Sequence, residues 1–255
     1  MTSRIWLLGD PVTRSLSPGM QNAALEAVGI DCRYVVHQVD GSGLQRAIHE
    51  LREDERIRGA NVTIPHKESV IPLLDELDPI AARVGAVNTI SRTGRRLRGS
   101  NTDVVGFRRA LDDCGYRAAG RNVAVVGAGG AARAVVSALQ GLAGRIWVLA
   151  RNQAQARQLA GDLHLDPDAA VSIERMPAVL AEADLVINAT PADVVEGAGL
   201  RRDQQFFDLR SRRSAEGRAM LLHQGAASFE IWTGRAAPID VMRAALAHAA
   251  EAVPA

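Results

Sequence analysis

Lys67 is the only lysine in a chain of 255 residues; every other Lys+Arg position is arginine. It stands in the segment NVTIPHK (61–67), two residues after a proline and beside a histidine. Arginine keeps its proton at any working pH, whereas burial and neighbouring charges can tune a lysine ammonium until it releases one. Lys67 is therefore a candidate acid–base group, and a solvated surface charge is the alternative that residue type alone leaves open. His66 is expected to face away from wherever Lys67 acts, because adjacent residues on an extended segment point to opposite faces. The six histidines form no HxxxH pair and no cluster with Asp or Glu, so no metal site is expected.

A second pattern with chemical content is VAVVGAGGAARAVV (123–136). Gly127, Gly129 and Ala132 follow an apolar β-branched run at the spacing G-x-G-x-x-A. Gly127 permits a tight turn, Gly129 lets backbone approach a pyrophosphate, and Ala132 lets a helix pack closely on the strand. With Ala128, Gly130 and Ala131 they make a turn whose helix N-terminus supplies N–H groups and a positive dipole end to phosphates. A glycine-rich structural turn is the competing reading. The next strand, IWVLARN, ends without the acid that NAD enzymes place against the ribose diol. Arg151 stands there instead, and its fork could hold a 2′-phosphate in two hydrogen bonds. NADP is the expected cofactor, with Arg151 as an ordinary solvated arginine the alternative.

These groups need elements to hold them. RIWLLG reads as a strand ending at Gly9, and SPGMQNAALEAVG as a helix with Ser17 as N-cap, Pro18 at its first position and Gly29 as its stop. CRYVVHQV, SGLQRAIHELRED and IRGANVTI continue as strand, helix and strand. VIPLLDELDPIAARVG reads as a helix interrupted near Pro79, and AVNTISRTGRRLRGSNTD as a hairpin turning at Thr93-Gly94. After Asp103 come a helix (VVGFRRALDDCG), then the strand, glycine turn, helix and strand described above. Two further strands (ADLVINATP, QQFFDLR) and two closing helices follow. The fold class is α/β: an N-terminal α/β substrate domain and a Rossmann-type NADP-binding domain with a cleft between them. Residues 1–102 and 223–255 are assigned to the first, and 103–222 to the second.

Composition excludes several function classes. A formal net charge of +1 gives no global field for nucleic acid or membrane. No apolar run approaches the ~18 residues that span a bilayer, and the N-terminus lacks a signal-peptide core. Cys32 and Cys114 lie far apart with no pairing pattern, as suits a reducing compartment. A cytoplasmic enzyme is expected, monomer or homodimer, with a small-molecule substrate and no nucleic-acid or membrane partner.

The ordered blocks GDPVTRSLSPGMQNAAL, GANVTIPHK, GAVNT, NTD, VVGAGGAARA, INATP and MLLHQGAASFEIWTG resemble shikimate dehydrogenases over nearly the whole chain. The resemblance implies NADP-dependent interconversion of 3-dehydroshikimate and shikimate, with Lys67 and Asp103 as the catalytic pair. A desolvated lysine loses pKa while a neighbouring carboxylate restores and orients it; whether Lys67 moves the proton or stabilises charge on oxygen stays open. Ser15 and Ser17 match the pair that binds the substrate carboxylate, with helix capping as their other reading. Thr63, Asn88 and Gln224 match positions that bond ring hydroxyls, supported by Asn61, and Thr190 falls in a cofactor block.

Three departures stand out. Ser211, after Arg210, occupies the place of a substrate-contacting tyrosine; only fifteen residues separate Asp208 from Gln224; and INAT continues as PADVVEG. They lead to the expectation of a divergent paralogue, slow with shikimate. A quinate or aminoshikimate dehydrogenase, or a non-catalytic ligand-binding protein, are the alternatives.

Overall fold

The computed structural model describes residues 2–193 and 199–251. The chain divides into two compact units, Met1–Thr102 with Leu221–Ala255, and Asp103–Met220.

The first unit opens β1 (Ser3–Gly9), α1 (Ser17–Ala27), β2 (Cys32–Gln38), α2 (Leu44–Glu53) and β3 (Ile57–Val62). β2, β1 and β3 are parallel neighbours in that order. β4 (Glu76–Leu77), α3 (Pro79–Val84), β5 (Thr89–Thr93) and β6 (Arg96–Ser100) follow, giving the sheet order β2-β1-β3-β5-β6-β4. β1 is buried at five consecutive positions from Leu-rich sequence, as a parallel strand covered on both faces should be.

Three sequence expectations change here. Residues 70–84 do not form one interrupted helix. The Asp75 carboxylate accepts the Leu97 N–H at 2.7 Å and an Arg52 N–H at 2.5 Å, while Asp75 and Asp78 donate backbone N–H groups to Leu97 and Gly99. Edge pairing with β6 therefore outcompetes helix, leaving a 3-10 turn at Ile71–Leu73, then β4, then α3, which begins at Pro79 with Asp78 as cap. The hairpin pairs Thr93 with Arg96, so its loop is Gly94-Arg95, with Gly94 at φ +59°. Ser17 is not the cap of α1: Leu16 holds that position, Ser17 is already helical, and Ser15 Oγ accepts the Ser17 N–H at 3.2 Å.

The second unit comprises α4 (Asp103–Asp113), β7 (Val123–Val126), α5 (Gly130–Leu139), β8 (Ile146–Ala150), α6 (Gln153–Asp162), β9 (Ala170–Ser172), α7 (Met176–Glu182), β10 (Leu185–Asn188) and β11 (Gln205–Asp208). Its sheet is wholly parallel, in the order β11-β10-β7-β8-β9. α6, β9 and α7 were not anticipated from the sequence. Strand order reverses between β7 and β10, with β8 and β9 added on one side of β7 and β10 and β11 on the other, the place where open α/β sheets leave a crevice for ligands.

α8 (Ala215–Thr233) contains the boundary between the units, and α9 (Ile239–Glu251) closes the described chain; residues 252–255 of the closing segment lie outside the described residues. Leu222, Ala226 and Phe229 of α8 and Met242 and Leu246 of α9 pack with Ile5, Leu7, Met20 and Leu25 on one face of the first sheet. Trp6, Leu8, Ile48 and Leu51 pack on the other. Each buried Leu, Ile, Phe or Met among them contributes about 1.5–3 kcal/mol. Gly225 lets α8 lie against α1, because a Cβ there would collide with Met20.

Candidate active site

In the first unit the resemblance residues gather where β1 and β3 end. Ser15 and Ser17 follow β1 at the start of α1, Asn61 lies in β3, and Thr63 follows it with its N–H on Leu8 O at 2.8 Å. The Lys67 carbonyl accepts the Val87 N–H at 2.7 Å, which ties Lys67 to the strand entry that carries Asn88. β3 ends at Val62, so the segment carrying His66 is turn rather than extended strand. His66 nevertheless turns inward: its Nε2 lies 2.5 Å from Val39 O, and the ring is buried.

A buried hydrogen-bond network links Asn61 and Asn88 to Gln224 of α8. Asn88 Oδ1 accepts the Thr102 N–H at 2.8 Å, which orients its amide so that Nδ2 donates to Thr102 Oγ1 at 2.8 Å and Gln224 Oε1 at 3.2 Å. Gln224 Nε2 in turn donates to Leu221 O at 2.9 Å. Asn61 Nδ2 donates to Asn88 O at 2.9 Å, with Thr89 Oγ1 and Ser228 Oγ each 3.2 Å away. Ser228 donates to Gln224 O at 3.0 Å and touches Thr89 and Thr102 through their hydroxyls. Sequence reading missed Tyr34, Thr89, Thr102 and Ser228. The available signal was the i, i+4 spacing of Gln224 and Ser228, which puts both on one helix face.

In the second unit Asp103 is the first residue of α4 and is 4% exposed. The glycine turn sits between β7 and α5, beside the reversal point of the sheet. Gly127 has φ +117°, and a Cβ there would lie 3.1 Å from Thr190 Cγ2. Gly129 is the N-cap of α5 with no side-chain cap, and a Cβ on it would meet nothing within 4 Å. Backbone N–H groups at Gly130, Ala131 and Ala132 thus begin a helix beside open space, an arrangement that fits a dinucleotide pyrophosphate. Ala128 is buried within the turn.

Arg151 is exposed, directly after β8, and Asn152 caps α6 by accepting the Ala154 and Gln155 N–H groups at 3.1 and 3.2 Å. Its backbone is thus held from both sides. Thr190 Oγ1 and N–H both donate to Asn188 Oδ1, at 2.8 and 3.1 Å.

Arg210 joins the loop after β10 to the end of β11. Its guanidinium bonds Asp208 through Nε at 2.8 Å and Nη2 at 2.6 Å, and Nη1 pairs with Asp193 at 3.0 Å. Hydrogen bonds to Asp208 and then Asp193 hold its proton above the ordinary arginine value. Ser211 follows, half-buried. Val194–Gly197 of the PADVVEG segment lie outside the described residues.

A parallel sheet wound about a central glycine-turn strand makes the second unit a Rossmann-type α/β fold. Comparison with known proteins carries this further. Residues 7–90 match the shikimate dehydrogenase substrate binding domain, residues 110–197 the shikimate / quinate 5-dehydrogenase family, and residues 217–247 the shikimate 5′-dehydrogenase C-terminal domain. A shikimate dehydrogenase (NADP(+)) of Symbiobacterium thermophilum is 42% identical over 284 residues, covering 97% of this chain and 95% of its own. One from Moorella thermoacetica is 42% identical over 277 residues, covering 97% and 94%. The crystal structure of shikimate 5-dehydrogenase from Thermus thermophilus in complex with NADP(H) and shikimate superposes with a TM-score of 0.82 at 34% identity, covering 97% of this chain and 100% of that one. The chain belongs to the shikimate dehydrogenase family. The 284-residue match is longer than the 255-residue chain, so gaps in this chain are part of it.

Among the described residues, no helix is long and apolar enough to cross a membrane, and no three His, Cys, Asp or Glu side chains group to hold a metal.

Proposed function

We propose that this chain catalyses the NADP-dependent interconversion of shikimate and 3-dehydroshikimate, with Lys67 and Asp103 as the catalytic pair. The observation that supports the reading is the bonding of Asn61, Asn88 and Gln224, from three separate segments, into one buried polar network. A polyol acid needs hydroxyl and amide partners around its ring and an anion cradle for its carboxylate. Thr63, Asn88 and Gln224 supply the former; Ser15 and Ser17, at the start of α1, supply the latter.

Oxidising the ring alcohol removes a hydride from carbon and a proton from oxygen. NADP, when bound, exchanges the hydride. Lys67 takes the proton from that oxygen, or returns it in the reverse direction, and Asp103 orients the ammonium. Gly127, Ala128, Gly129, Gly130 and Ala131 receive the pyrophosphate on backbone N–H groups, Arg151 holds the 2′-phosphate, and Thr190 lines the cofactor edge.

The thiols Cys32 and Cys114 are unpaired, which supports a cytoplasmic protein. We assign it as a monomer or homodimer without nucleic-acid or membrane partners. Ser211 in place of a tyrosine hydroxyl favours a second reading, activity on quinate or aminoshikimate.

Initial rates of purified protein with shikimate, quinate and aminoshikimate, each with NADP and NAD, test the assignment. The highest kcat/KM is expected for shikimate with NADP. A higher value for quinate or aminoshikimate selects the second reading, and ligand binding without turnover overturns both.

A further inference from the structure

Tyr34 lies on β2, outside every block that marks the family resemblance, and is 2% exposed. Its Oη donates to Asn61 Oδ1 at 2.8 Å. Burial raises the phenol pKa well above its ordinary value, so it stays a donor at any working pH. Asn61 carries the connection onward. Its Oδ1 is committed to Tyr34, so its Nδ2 must face Asn88 O, Thr89 and Ser228. The result is a directed chain of buried bonds: Tyr34 to Asn61 to Asn88. A buried donor or acceptor left without its partner is costly, so each member restricts the next.

We propose that Tyr34 is a positioning residue for substrate, fixing the orientation of Asn61 and through it the segment that carries Asn88, whose amide receives a ring hydroxyl. The inference rests on the assignment of Asn88 to substrate made above. It adds that one phenolic hydroxyl that does not touch the ligand sets where that amide stands.

Tyr34→Phe removes that hydroxyl and little else. The backbone of Tyr34 is pinned independently by Asn22, which accepts its N–H at 2.8 Å and donates to its carbonyl at 2.9 Å. The ring packs 6.1 Å, centroid to centroid, from Trp232, a contact that phenylalanine keeps.

The test is shikimate binding by calorimetry in the absence of NADP, with steady-state kinetics and melting curves on the same preparations. Tyr34→Phe is expected to raise Kd and KM for shikimate about tenfold, the scale of one buried hydrogen bond, with kcat within about twofold and NADP affinity unchanged. Ser228→Ala, which removes another Asn61 partner in the network, is expected to shift KM in the same sense, and carries the test if Tyr34→Phe does not fold. Ser137→Ala, a buried serine of α5 outside this network, controls for loss of a buried hydroxyl and is expected to leave shikimate Kd alone. Variants that lower Tm while shikimate Kd and KM stay at the wild-type value overturn the inference and leave the assigned activity intact. Wild-type protein that binds no shikimate overturns the assignment itself, and this inference with it.

Discussion

A methyl group on Gly127 would lie 3.1 Å from Thr190 Cγ2 and 3.2 Å from the carbonyl oxygen of Ala189. The turn after β7 and the loop after β10 therefore approach each other as closely as side-chain-free backbone allows. The φ of +117° at Gly127 is itself a conformation that residues with a Cβ rarely adopt. Gly127→Ala is expected to cost about 1–3 kcal/mol of stability and to weaken NADP binding at least tenfold. Shikimate affinity, measured without cofactor, is expected to hold. Calorimetric titration with each ligand separates the two effects.

Arg151 stands where a carboxylate would accept a ribose diol and repel a phosphate. Arg151→Gln is expected to raise the KM for NADP by about 10- to 100-fold, as loss of a charge-assisted pair of hydrogen bonds implies. The KM for NAD is expected to change little. Parallel kinetics with both cofactors check this; equal losses for NADP and NAD would assign Arg151 a structural role.

The first unit also carries a pH dependence. An Arg52 hydrogen bond, then the Leu97 N–H, holds the Asp75 carboxyl below its ordinary value. A depressed folded-state pKa adds stability that is complete above the ordinary carboxylate pKa of about 4 and is lost as pH falls through the lower folded value. Asp75→Asn is expected to melt a few degrees below wild type at neutral pH, roughly 2–4 °C, with the gap narrowing as acid protonates Asp75. Melting curves across an acid series measure it.

Much of this was legible in residue order because local signals and tertiary demand agreed. The glycine turn, its strand and its helix all follow from the same ten residues, since turn, close packing and helix start each require small side chains. The misread stretch at 70–84 shows the opposite case. Its apolar spacing suits a helix, but backbone pairing with β6 and the Asp75 carboxylate decide otherwise, and both partners lie twenty or more residues away. Ser17 failed as a cap for a related reason: Ser15 supplies the accepting oxygen, and a two-residue offset is invisible to composition. The helper residues Tyr34, Thr89 and Ser228 were missed because a buried hydroxyl in a strand or helix looks like packing until its partners are known. Alternation along an extended strand does not govern the direction of His66, because β3 ends at Val62.

Lys67 is the residue on which the proposed chemistry depends. The most direct measurement is single-substitution kinetics: the rate of shikimate-dependent NADP reduction by Lys67→Ala beside wild type, with NADP binding verified in both. A fall in kcat of about 10²- to 10⁴-fold, the range for losing a positioned acid–base group, is the expected result. Turnover by Lys67→Ala equal to wild type would contradict it.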